Sequence, residues 1–266
     1  MRFNQQSSFS SGSTAYQAPN LEEIFERGAS EYTLSVIAID RSGSVSPFAG
    51  QLRLMLIEAA TATKSSPRSE NVLLRALTFN DSNNISEIHG FTPASEINLE
   101  AYPHFSPDNG TPLYKATYNA VSSIVDYGKT LAGKQLLVNG ICFIITDGQD
   151  TEKGVSPADI AKKIAEVKAI KGFESFTTIL IGLTKPRPDG GEESEGERDS
   201  RMSIVNSLET FKQQAGLTHF VDMGNANAAT LAKLANFVSS SLIIKSKHIG
   251  TDKDTDAMED DLKSFI

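Results

Sequence analysis

The sequence predicts one doubly wound α/β domain, with a mostly parallel β-sheet, helices on both faces and one antiparallel edge strand. Three observations carry that expectation. Short, nearly continuous apolar runs rich in β-branched residues recur along the chain, as strands covered on both faces require. The segments between them place their apolar residues at helical spacing. The two kinds of segment alternate, which is the pattern of strand–helix–strand crossovers.

Taken in order, residues 1–30 are expected to be a flexible lead with one short helix. Up to about residue 19 the chain is rich in Ser, Gln and Gly, with too few large apolar groups to offset the entropy of ordering. Asn20 then offers an N-cap for a helix from Leu21 to Arg27, which Gly28 ends. The main domain is expected over 31–241. It opens with the strand Thr33 to Ile39, which stops at Asp40. Leu52, Met55, Leu56, Ala59 and Ala60 form one helical stripe. Val72 to Phe79 reads as the second strand, and Ile85 to Phe91, after the turn-forming run Asn80 to Asn84, as the antiparallel edge.

Leu113, Thr117, Ala120, Val121 and Ile124 mark the next helix, and Ile141 to Ile145 a buried strand. Ile160, Ile164, Val167 and Ile170 mark another helix, followed by the strand Thr177 to Leu183. Ile204, Leu208 and Phe211 give a short helix closed by Gly216, His219 to Val221 a last strand, and Leu231, Leu234, Ala235 and Val238 the final helix. Two stretches fall outside this rhythm. Residues 184–201 are rich in Gly and Glu without aliphatic or aromatic side chains, and are expected to be a mobile acidic loop. Residues 242–266 read as a polar, acidic tail.

Composition narrows the function classes. The 33 Asp and Glu outweigh 25 Lys and Arg, for a net charge of −8, so no broad basic surface for nucleic acid is expected. Cys142 is the single cysteine, which rules out an intrachain disulfide and points to a reducing cytoplasm. No apolar stretch approaches the roughly 18 residues of a membrane span, and Met1 to Asn20 lack the apolar run of a signal peptide.

In an open parallel sheet, ligands bind beyond the carboxyl ends of the strands, where the strand order reverses. Asp40 and Asp147 both follow such strand ends. If their strands are adjacent, the two carboxylates face one another. Asp40 is followed by Ser42 and Ser44, with Gly43 between them, and Thr111 precedes Pro112 at a helix start. Two carboxylates and three hydroxyls make an oxygen-only set of low charge, which suits a small hard cation such as Mg²⁺. His89, His104, His219 and His248 lack ligand spacing, so zinc is not expected. Asp40 and Ser42 also have a plainer reading as caps of the following helix. Asp150 reads as a solvated turn residue, Arg41 as an exposed arginine beside the turn, His104 and Asp108 as loop residues that could stand behind the site, and Cys142 as core.

At these residues the chain resembles the von Willebrand factor A (vWA) family and its metal-ion-dependent adhesion site. The match is Asp-x-Ser-x-Ser at Asp40, Ser42 and Ser44, then Thr111, then Asp147, in register with the strands and helices over about residues 31–241. The resemblance implies a Rossmann-like fold in which Ser42, Ser44 and Thr111 touch the metal and Asp40 and Asp147 act directly or through water. The metal would be Mg²⁺, with Mn²⁺ or Ca²⁺ as alternatives. The remaining position would take a Glu or Asp carboxylate of a protein partner. The wording of the motifs is most like intracellular bacterial members, which work beside AAA+ ATPases, kinases or phosphatases. That makes the chain a binding module rather than an enzyme. The alternative is a Mg²⁺-dependent phosphotransfer or phosphohydrolase enzyme, which would also place an Asp after its first strand; the hydrolases usually carry a second Asp two residues on, where Ser42 stands here.

Overall fold

Residues 6–11, 14–81, 85–108, 110–184 and 194–247 are described by a computed structural model. Along them run β1 (Gln6–Ser11), β2 (Thr14–Pro19), α1 (Leu21–Glu26), β3 (Glu31–Asp40), α2 (Ala49–Lys64), β4 (Val72–Phe79) and β5 (Ile85–Pro93). Then follow α3 (Leu113–Ala132), β6 (Leu137–Thr146), α4 (Pro157–Glu166), β7 (Phe173–Thr184), α5 (Glu195–Ala215), β8 (His219–Asn225) and α6 (Ala228–Lys247). Six strands form one sheet in the order β5-β4-β3-β6-β7-β8. Every neighbouring pair is parallel except β4 and β5, so the expected antiparallel edge is present.

The continuous apolar runs divide between two cores because successive side chains leave a strand on opposite faces. On β3, Leu34, Val36 and Ala38 join the side chains of α1, α3, α4 and α5, whereas Ile37 and Ile39 join those of α2 and α6. On β6, Cys142 and Ile144 take the first face and Ile141, Phe143 and Ile145 the second. Helices are started by local chemistry. Asn20 with Glu23, and Ser156 with Asp159, form reciprocal capping boxes at α1 and α4. Gly216 ends α5 in the left-handed conformation, φ 64°. Among the described residues no helix is long and apolar enough to cross a membrane.

Three stretches differ from expectation. The lead is not structureless: β1 and β2 pair antiparallel, and β2 buries Tyr16 and Ala18. The Tyr16 ring meets Phe91 edge-on at 5.9 Å, and Tyr127 Oη donates to Pro19 O at 2.8 Å. A Cβ on Gly90 would lie 2.3 Å from Gln17 O, so only glycine lets β2 cross β5 this closely. The alternation that signals β2 is just two buried residues long, which is why composition masked it.

The second difference lies in 184–201. Residues 185–193 lie outside the described set, but Ser194 caps α5 through a box with Glu197, and the helix has begun by Glu195. Its first turns are acidic, which suits a helix N-terminus, and too exposed to need an apolar stripe. The third lies in 242–266. There α6 continues to Lys247, burying Leu242, Lys245 and Ser246, while Arg68 donates to Ser246 O at 2.8 Å. The rest of that stretch, 248–266, lies outside the described residues.

Candidate metal centre

β3 and β6 are adjacent and parallel, with Ile39 opposite Ile145, so Asp40 and Thr146 finish their strands side by side. The chain continues from β3 to β4 on one side, while β6 lies on the other, which makes this the switch point of the sheet. Asp40 is wholly buried. One of its carboxylate oxygens accepts from the Ser42 backbone N–H at 2.7 Å and the other from Thr146 Oγ1 at 2.6 Å.

The chain then turns through a 3₁₀ segment, Gly43–Phe48, for which Ser42 makes no side-chain cap. The capping role that sequence left open for Ser42 is not taken up. Its Oγ lies 2.9 Å from Ser44 Oγ, and Ser44 Oγ donates to Asp147 Oδ1 at 2.6 Å. Ser44 has only one hydroxyl hydrogen, so Ser42 must be the donor to it. A hydrogen-bonded row, Ser42 to Ser44 to Asp147, therefore spans from the end of β3 to the end of β6.

Thr111 arrives from a separate segment. Its backbone N–H donates to Thr151 Oγ1 at 2.8 Å, and its carbonyl accepts from the Thr151 N–H at 2.9 Å. A Cβ on Gly148 would sit 3.7 Å from Thr111 Oγ1, which puts that hydroxyl beside the residue following Asp147. Asp150 is not a merely solvated turn residue: its Oδ1 accepts from the Tyr114 N–H at 2.9 Å, capping α3 from 36 residues away. No local signal marks that role, because the partner is remote in sequence.

Ser44, Thr111 and Asp147 line one cavity of about 1460 Å³, which continues over Gly148 to the first turns of α5. Ser42 and Asp40 are buried rather than on its lining. The five candidate ligands are thus brought together, three on the cavity wall and two behind it. Burial pushes the Asp40 carboxyl up to about 6, an effect opposed by the hydroxyl of Thr146 and the amide of Ser42 and reinforced by the charge of Asp147. Thr146, which holds Asp40, went unassigned in the sequence although it stands beside Asp147.

The flanking residues do other work. Arg41 reaches Ser106 O and Ser86 Oγ, each at 3.3 Å, and its carbonyl accepts from the Asp108 N–H at 3.1 Å, tying the 103–108 loop to β5. His104 and Asp108 are exposed. Cys142 is buried, and burial pushes its thiol up to about 12, so it stays a neutral core residue.

This donor set fits a hard divalent cation. The groups gathered are oxygens alone, and burial makes the paired charges of Asp40 and Asp147 unfavourable without compensation. Among the described residues no group of three His, Cys, Asp or Glu side chains comes together for a metal, so a site here depends on its hydroxyls. Asp40, Ser42, Ser44, Thr111 and Asp147 are the residues that could hold the ion.

No protein-family model and no curated protein matches the chain. Solved structures do. The chain is similar to the pilus adhesin SpaC from Lactobacillus rhamnosus GG in its open conformation, with a TM-score of 0.54 and 13% identity, over 90% of this chain and 33% of that one. It is also similar to the vWF domain of the type V pili tip protein Mfa5 from Porphyromonas gingivalis, with a TM-score of 0.44 and 12% identity over 80% and 97% of the two chains. A third likeness is to proximal thread matrix protein 1 of the mussel byssus with a zinc-occupied MIDAS motif, with a TM-score of 0.45 and 15% identity over 80% and 46%. The chain spans about a third of the length of SpaC, and that likeness shows a shared α/β fold.

Proposed function

We propose that this chain is a metal-dependent protein-binding module of the vWA type. Asp40, Ser42, Ser44, Thr111 and Asp147 hold one divalent cation, Mg²⁺ foremost, with Mn²⁺ and Ca²⁺ as alternatives. The partner presents a Glu or Asp carboxylate, and the setting is the cytoplasm. The observation that carries this reading is the hydroxyl row from Ser42 through Ser44 to Asp147, which joins the two strand ends at the wall of an open cavity. The three hydroxyl groups add no charge and Asp40 lies behind the cavity lining, so the ion keeps a coordination position open toward the cavity for an outside oxygen ligand. An incoming carboxylate is the complementary ligand.

The residues favour binding over catalysis. A phosphohydrolase of this topology would use an acid two residues after Asp40, and that position is Ser42, whose hydroxyl is engaged with Ser44. To test the reading, the protein is used as bait in native lysate with Mg²⁺, with EDTA, and as Thr111→Ala. One protein should be captured with Mg²⁺ and lost in both of the other arms. Equal capture in all three contradicts a metal-bridged contact.

A further inference from the structure

We infer that Thr151 and Asp150 are positioning residues that fasten Thr111 to the strand end carrying Asp147, so that ligands from two separate segments meet the ion as one unit. The inference rests on the metal-binding reading above, and concerns how its most distant hydroxyl is placed.

Thr111 sits just before α3, and Pro112 gives that helix no side-chain cap. Uncapped helix starts leave backbone N–H groups without partners and tend to fray. Here the turn at 150–152 supplies what is missing. Thr151 binds Thr111 at both backbone atoms, with its hydroxyl accepting at 2.8 Å and its N–H donating at 2.9 Å. Asp150 Oδ1 accepts from the Tyr114 N–H at 2.9 Å, and Oδ2 accepts from the Glu152 N–H at 3.2 Å, which holds the turn itself in shape.

The contact is too close to be incidental. A Cβ on Gly110 would lie 2.6 Å from Thr151 Oγ1, so a side chain at 110 would push the two segments apart. The turn is also covalently continuous with Asp147, three residues before Asp150. Thr111 is therefore tied to the chain leaving β6 by bonds that are present without the ion. Ordering of Thr111 is completed by folding, and ion binding need not supply it.

Calorimetric titration of Mn²⁺ into the whole chain tests this with wild type, Thr151→Val, Thr151→Ser, Thr111→Ala and the Thr111→Ala/Thr151→Val double variant. Thr151 is exposed, so valine removes the accepting hydroxyl without touching the core. Thr151→Val should weaken Mn²⁺ binding roughly 10-fold, the lower range for residues that orient metal ligands, and Thr151→Ser should restore it. In the Thr111→Ala background, Thr151→Val should cost nothing further. An undiminished affinity in Thr151→Val, beside a weakened Thr111→Ala, overturns the positioning role and leaves the metal site standing. An equal loss in both backgrounds also overturns it, since the effect then does not pass through Thr111. Absence of Mn²⁺ binding to wild type overturns the metal reading and this inference together.

Discussion

Asp40 holds a carboxylate where burial opposes its charge, and the surrounding groups compensate only in part. Its carboxyl sits near 6 in the folded chain against an ordinary 3.8. A folded value above the unfolded one means that the folded state binds the proton more tightly. Its contribution to stability is then full below about pH 4 and is lost as pH rises through about 6. Measured in EDTA, Asp40→Asn should stabilise the domain at pH 7 by on the order of 2–3 kcal/mol and flatten its stability between pH 6 and 4. Urea unfolding across that range checks both; a destabilised Asp40→Asn contradicts the burden assigned to this charge. At this scale the sequence was informative for residues tied to local landmarks. Asp40 and Asp147 follow strand ends, Ser42 and Ser44 share one turn, and Thr111 stands at a helix start. Thr146, Asp150 and Thr151 act through bonds 106, 36 and 40 residues long, which no local pattern announces.

At the scale of elements, among the described residues, periodicity located every strand of the large sheet and the α-helices from α2 to α6, capping located α1, and the errors lay chiefly at ends and in short 3₁₀ segments such as Gly43–Phe48. β3 and β6 run beyond their apolar runs, because polar residues such as Asp40 and Asn139 are also buried there, and β7 begins earlier than expected, at Phe173. Among the described residues periodicity missed the antiparallel β1–β2 pair, where the burial of Tyr16 and Ala18 is outweighed by a Ser- and Gln-rich composition. Tyr16 makes that error consequential. It is nearly solvent-free, packs on Phe91 and lies beneath the buried Arg75 guanidinium, 5.8 Å from its ring centre. Tyr16→Ala should therefore cost about 3 kcal/mol, the range of large-to-small changes at buried aromatic sites. A change in unfolding free energy below about 0.5 kcal/mol would return this segment to the status of a flexible lead.

For the whole molecule, alternation of the two segment types gave the doubly wound class, but not the strand order. Order is set by which helices cover which face, and that emerges only when two cores are packed at once. Once β3 and β6 are neighbours, the site follows with little further choice: two strand ends deliver Asp40 and Asp147, one turn delivers the serines, and the 150–152 turn holds Thr111 against them. The most direct test of the central claim, that these five residues form a single ion site, is calorimetric titration of Mg²⁺ into the metal-free chain and into Asp40→Ala. One ion should bind per wild-type chain, with a rise in melting temperature as ion is added, and Asp40→Ala should stay folded and show neither response. No binding to wild type, or equal binding to Asp40→Ala, would contradict it.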